Sequence, residues 1–223
     1  GLTGRDIDAI LITHEHIDHI AGLGVLSRRY GIPIYTTEKT ADAIQETKSV
    51  GKIPEELFHP VCAEEAFTIK DLTVNPMHIS HDAADPVGYR FSYGSSHAAV
   101  CTDLGTYNDY TVECLKGMDV LLLEANHDVN MLQVGSYPYY LKQRILGNRG
   151  HLSNENSGRL LSRVLHDNLK KVILGHLSQE NNLPELAYET VRMEIDLADN
   201  PYHGGDFPIQ VAKRNEVSEM ICF

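Results

Sequence analysis

The chain reads as an α/β protein, on two features of its pattern. Short, continuous apolar runs of strand length recur, as in Ala9-Ile10-Leu11-Ile12 and Val172-Ile173-Leu174, and each ends on residues with reactive side chains. Between them lie stretches with helical spacing, such as Ile20, Leu23 and Leu26, or Leu160, Leu161, Val164 and Leu165. With 223 residues and 42% hydrophobic content the chain can bury a core of its own, and residues 1–223 are read most simply as one domain.

Taken in order, Ala9–Ile12 is a strand and Ile17–Tyr30 a helix ended by Gly31. Ile32–Thr36 is a short strand that tolerates Pro33 near its start, and Thr40–Val50 a second helix. Gly51–Pro60, with two prolines and little periodicity, is a connection. Ala66–Ile69 and Leu72–Ile79 are strands, and Val87–Tyr93 with His97–Cys101 form a hairpin around Gly94-Ser95-Ser96. Tyr107–Met118 is a helix and Asp119–Leu123 a strand. A helix follows Ser153, a natural N-cap. Lys170–Gly175 is a buried strand, Leu183–Leu197 a helix, and Phe207–Ala212 and Val217–Cys222 two short strand-like pieces.

Bulk composition narrows the function. No apolar run approaches the roughly 20 residues that span a bilayer. Cys62, Cys101, Cys114 and Cys222 lack paired spacing, so they read as cytosolic thiols, not as a disulfide framework or a cysteine zinc site. The implied location is cytoplasmic, with no membrane and no obligate protein partner. A net charge of −12 argues at first against nucleic acid. Distribution qualifies this, because from Lys142 to Lys171 seven basic residues stand against only Glu155 and Asp167. Taken alone, such a run reads first as a solvated face. Tyr137, Tyr139 and Tyr140 open this stretch, and for them packing is favoured over stacking on an exposed base.

The most informative stretch is Thr13-His14-Glu15-His16-Ile17-Asp18-His19, directly after the first strand. His14 and His16 lie two apart, so in extended backbone both imidazoles point to one side and can grip one cation. Asp18 and His19 are consecutive and diverge as the chain turns into the helix, which suits a second cation. A helical zinc site needs histidines four apart, and that spacing is not present here.

These residues match the His-x-His-x-Asp-His motif of the metallo-β-lactamase superfamily. The longer run from Thr13 to Tyr30 resembles its bacterial YycJ (WalJ) exonuclease-like branch, and the likeness extends over nearly the whole chain. The resemblance implies a four-layer αββα metallo-β-lactamase sandwich. It also implies that roughly 30 to 50 residues of the family's opening strands are absent, because His14 follows barely one strand and Gly1-Leu2-Thr3 resembles the loop after them.

The same resemblance assigns the remaining ligands. His81, in Ser80-His81-Asp82, completes one metal site with His14 and His16, and ranks above its competitor His78. Asp103 bridges both metals, one carboxylate oxygen to each. His176 joins Asp18, His19 and Asp103 in the second site. The cluster Glu124-Ala125-Asn126-His127-Asp128 resembles a segment of the same branch, with Glu124 placed to orient an active-site histidine. His151 stands just before the helix that Ser153 caps, where free backbone N–H groups favour a phosphate. Imidazole and carboxylate ligands suit zinc and also permit manganese.

Two such cations about 3.5 to 4 Å apart hold a water and lower its pKa towards 7, supplying a hydroxide nucleophile. The implied reaction is in-line attack on a phosphodiester, in a 5′-to-3′ exonuclease acting on DNA. Asp18, Asp103, Glu124 and His151 are its candidate catalytic residues. His151 protonates the leaving oxygen, with His127 as the alternative. The second reading is a hydrolase of a small lactam, lactone or thioester, favoured by the acidic surface. The third is a non-catalytic domain, against which the complete ligand set argues.

Overall fold

In the computed structural model, which describes residues 3–223, the first apolar run becomes strand β1 (Ile10–Leu11). Gly1 and Leu2, part of the segment likened to a post-strand loop, lie outside the described residues. The described residues pack as two compact units, residues 3–78 with Asp82–Tyr89, and Ile79–His81 with Arg90–Phe223.

In the first unit β1 pairs in parallel with β2 (Ile34–Thr36), and β2 with β3 (Phe58–Pro60). Ile12, Ile20, Leu23, Ile34, Ile44 and Ile53 form one buried apolar cluster here. The single helix expected over Ile17–Tyr30 is instead two, α1 (Ile17–Ile20) and α2 (Leu23–Tyr30), with a turn at Ala21 and Gly22. Glycine is a poor helix residue because it gives up the most backbone freedom, and Gly22 stands at the break. Gly31 ends α2 in the left-handed conformation, φ 67°, with its N–H donating to the Ser27 carbonyl.

Helix α3 starts earlier than its apolar periodicity suggests, at Glu38, and ends at Glu46, before a 3-10 turn at Lys48–Val50. The connection expected over Gly51–Pro60 contains a 3-10 turn and strand β3. His59 and Pro60 are exposed, so this edge strand pairs through its backbone without the burial that leaves an apolar pattern. Strands β4 (Phe67–Ile69) and β5 (Leu72–His78) form an antiparallel pair. Strand β6 (Val87–Tyr93) begins in the first unit and ends in the second.

In the second unit β7 (Ser96–Cys101), β8 (Val120–Glu124), β9 (Lys171–Gly175) and β10 (Ile209–Val211) pair in parallel in that order. Its helices are α4 (Asp109–Leu115), α5 (Val129–Val134), α6 (Tyr139–Leu146), α7 (Asn154–Ser162) and α8 (Pro184–Leu197). Helices α5 and α6 escape a periodicity reading because each buries a single residue, Leu132 and Ile145. Helix α7 meets α8 at Gly158, where a Cβ would lie 2.6 Å from that of Glu194. The strand-like piece Val217–Cys222 has no regular structure, and Val217 is 97% exposed, so no burial offsets the entropy of ordering it. No described helix is long and apolar enough to cross a membrane.

The parallel register places the chemistry. Cys101 lies opposite Leu123 and Glu124 opposite Gly175, so β7, β8 and β9 end together. Asp103, Glu124 and His176 therefore emerge at one edge.

Candidate metal centre

In the first unit the motif folds around Thr13. Its hydroxyl lies 3.0 Å from His14 Nδ1 and 3.2 Å from His19 Nδ1, and as both donor and acceptor it can serve both rings. Each ring thus turns its Nε2 away from Thr13. The His14 and His16 rings meet edge to face at 4.6 Å, and His14 and His19 at 4.1 Å. His14 is fully buried, whereas the Asp18 side chain is 63% exposed, 3.7 Å from His19 Nε2. Glu15 Oε1 accepts the Ala84 N–H at 2.8 Å, and His16 Nε2 lies 3.8 Å from Asp82 Oδ1.

In the second unit Asp103 and His176 follow their strands in left-handed backbone, φ 59° and 57°. Non-glycine residues adopt this conformation at a cost of about 1 kcal/mol or more, and sites of function are where it concentrates. Asp103 is 1% exposed, with Oδ1 3.5 Å from His176 Nε2, 3.7 Å from His81 Nε2 and 3.7 Å from His151 Nδ1. His81 is buried and its Nδ1 donates to the Gly150 carbonyl at 3.0 Å, leaving Nε2 towards Asp103. His78 is exposed on β5.

Glu124 is fully buried at the end of β8, and all of its acceptor capacity is in use. Oε1 accepts from Nδ1 of both His151 and His176, each at 2.8 Å, and Oε2 from the Leu104 and Leu152 N–H groups at 2.8 and 3.0 Å. Burial alone pushes this carboxyl up. The hydrogen bonds and charge of the two imidazoles outweigh it and hold the group at about 2. A carboxylate so placed acts as an orienting anion, fixing Nδ1–H on both rings and turning the opposite nitrogen, Nε2, away from it.

Ligand-capable atoms of Asp103, Glu124, His151 and His176 lie within 4.8 Å of one another. The donor set of imidazole nitrogens and a carboxylate, with a carboxylate behind the histidines, fits a divalent metal such as zinc or manganese.

Three features carry no sequence signal of this kind. Asn126 Nδ2 donates to the His176 carbonyl at 2.9 Å, supporting the strained turn. Behind it Asn154 and Asn182 exchange amide hydrogen bonds at 2.9 and 2.8 Å, and Asn182 also reaches the Ala125 and Asn126 carbonyls. Close packing of Gly105 against Gly150 is the third, since a Cβ on Gly105 would lie 2.4 Å from Gly150 N. His127 is buried beside this network, with its imidazole held well down, at about 4, chiefly by burial.

Residues 2–176 match the Beta-lactamase superfamily domain. The chain is 44% identical over 195 residues to the exodeoxyribonuclease WalJ of Streptococcus pneumoniae serotype 2 (strain D39 / NCTC 7466), covering 87% of this chain and 72% of that protein. It is 39% identical over 192 residues to the exodeoxyribonuclease YycJ of Bacillus anthracis, covering 86% and 72%. The metallo-β-lactamase fold protein YhfI of Bacillus subtilis superposes with a TM-score of 0.69 at 17% identity, over 95% of this chain and 77% of that one, a likeness of fold alone. With the strand-end histidines and aspartates in place, this chain belongs to the metallo-β-lactamase superfamily, among the relatives of WalJ and YycJ.

Proposed function

We propose that the chain is a metal-dependent phosphodiesterase, a 5′-to-3′ exonuclease on DNA. The observation that carries this reading is the second-unit cluster, in which Asp103, Glu124, His151 and His176, contributed by four separate segments, converge within ligand distance. The names of the WalJ and YycJ relatives support the substrate class.

Divalent ions, zinc or manganese, would be held by the ligands assigned from the motifs, Asp103 and His176 among them. When bound, they supply an activated water and positive charge at the scissile phosphate. Glu124 fixes the histidines before any substrate arrives, which is where preorganised sites gain their advantage. His151, with Nδ1–H committed to Glu124, turns Nε2 to the leaving oxygen and, in its doubly protonated form, delivers the Nε2 proton there, returning to the neutral ring. Its side chain is 14% exposed, against none for Glu124, so a reactant can reach His151 but not Glu124. The reading places the protein in the cytoplasm.

The test is degradation of 5′-labelled duplex DNA with manganese or zinc, alongside Asp103→Ala. Metal-dependent nucleotide release that the variant lacks is the expected outcome. A variant that degrades DNA as fast as the wild type removes Asp103 from the mechanism. A wild-type protein that binds metal and cleaves esters, lactones or thioesters but no DNA would replace the reading with a small-molecule hydrolase.

A further inference from the structure

Residues 129–154 contain no Asp or Glu, the longest such run in a chain of net charge −12. Of the seven basic residues between Lys142 and Lys171, the later ones are largely neutralised: Arg159 pairs with Glu194, Arg163 with Asp109 and Lys170 with Asp119. Lys142 instead donates to the neutral carbonyls of Gln133 and Gly135, which leaves its charge uncancelled by those contacts, and Arg149 Nε to the carbonyl of His81. Positive charge is thus retained at Lys142 on α6 and at Arg149 in the loop after it.

The same helix exposes two adjacent aromatic rings. Tyr139 and Tyr140 are 77% and 75% exposed, so the packing expected from the sequence does not occur. Only Ile145 is buried on α6. Helical spacing sets Tyr140 one turn before the exposed Arg144 and Tyr139 three residues before Lys142. The far end of α6 is tied to the site, since the Ile145 carbonyl accepts the His151 N–H at 3.0 Å. Six residues of helix separate Tyr139 from that bond, about 9 Å along the axis, or two to three stacked nucleotides at about 3.4 Å each.

Resting on the nuclease reading above, we infer that the exposed face of α6 is a stacking platform for single-stranded DNA. Tyr139 and Tyr140 receive bases, and Lys142 and Arg149 follow the phosphates of a strand running towards His151. A base offers its π-face whatever its identity, so the platform is tolerant of sequence, as an exonuclease that must move along any strand requires. Charge complementarity selects this occupant, because a stretch with no acid of its own on an acidic chain, with Glu180 reaching it at Ser136, favours a polyanion.

The experiment compares wild type, Tyr139→Ala/Tyr140→Ala and Tyr139→Phe/Tyr140→Phe in degrading a labelled single-stranded DNA about 12 nucleotides long. The alanine pair is expected to raise KM about tenfold or more while kcat changes less than twofold, and the phenylalanine pair to retain the wild-type KM. Binding of fluorescent oligothymidylate in a chelator should weaken in parallel. Wild-type degradation with a KM that the alanine pair leaves unmoved overturns the platform while the nuclease reading stands. No degradation by the wild type overturns that reading itself, and the platform with it. A KM effect on RNA of the same sequence but not on DNA rejects the named occupant. So does a wild-type dimer that the alanine pair dissociates in sedimentation, which would assign the face to a second copy.

Discussion

Glu124 Oε1 lies 2.8 Å from His176 Nδ1 and fixes the tautomer of a residue 52 positions later in the chain. The same oxygen holds His151 Nδ1, so one buried carboxylate sets two rings at once. Glu124→Gln keeps the shape but places an amide where an anion stood. Metal affinity or kcat is expected to fall about 10- to 100-fold, the usual effect of losing such a partner. Glu124→Ala also strips acceptors from the buried Leu104 and Leu152 N–H groups, at about 1 to 3 kcal/mol each. Metal titration and urea unfolding separate the two variants, since only the alanine should lose several kcal/mol of stability. Equal losses of stability in both would show that Glu124 is chiefly structural.

His127 gives a pH dependence whose sign follows from burial. Its imidazole is held down at about 4 against an ordinary 6.5, chiefly by desolvation, so the unfolded chain binds the proton more readily than the folded one. The stability from keeping the ring neutral is fully present above pH 6.5 and is lost as pH falls through about 4. The full effect is about 3 kcal/mol, at about 1.4 kcal/mol for each pH unit between those two values. Urea unfolding at pH 7, 5 and 4 checks this. His127→Gln should show a correspondingly shallower loss of stability on acidification, and an identical slope in both proteins would rule the account out.

The strand-end residues were legible in the sequence for a physical reason. An apolar run that stops at His, Asp or Glu marks the edge of a buried strand, and Asp103, Glu124 and His176 stand at such edges. Elements that bury little were not legible. Strand β3 and helices α5 and α6 carry almost no apolar pattern, and Tyr139 and Tyr140 look like core residues in sequence yet stand in solvent. The asparagine pair was equally hidden, because Asn154 and Asn182 read as turn residues until the fold brings them together.

That pair supplies a third prediction. Asn154 and Asn182 are 0% and 4% exposed, and Asn182 Nδ2 bonds to two backbone carbonyls as well as to Asn154. Asn182→Leu leaves the Asn154 amide and those carbonyls without that donor, at about 1 to 3 kcal/mol for each group stranded. A loss of at least 3 kcal/mol is expected in urea unfolding. Because Asn126 also holds the His176 carbonyl, the variant should bind metal more weakly as well. A loss under about 1 kcal/mol would mean that water replaces the amide.

The last prediction concerns the loop that delivers His151. A Cβ on Gly150 would lie 2.2 Å from the Ile145 carbonyl oxygen and 2.3 Å from that of Arg144, both backbone atoms that cannot rotate away. The Gly150 carbonyl also accepts from His81 Nδ1, and the Gly150 N–H donates to Gly147. Gly150→Ala must therefore shift the end of α6, His151 or the His81 contact. A displacement near 1 Å at a positioned catalytic group can cost about 100-fold in rate. The expected result is a fall in kcat of that order with a stability loss of about 1 to 3 kcal/mol from overpacking. Gly147→Ala is the control, because its Cβ would meet carbonyl oxygens at 3.2 and 3.3 Å, a contact that a small adjustment relieves. If both variants retain wild-type kcat, the close approach at Gly150 does not govern where His151 sits.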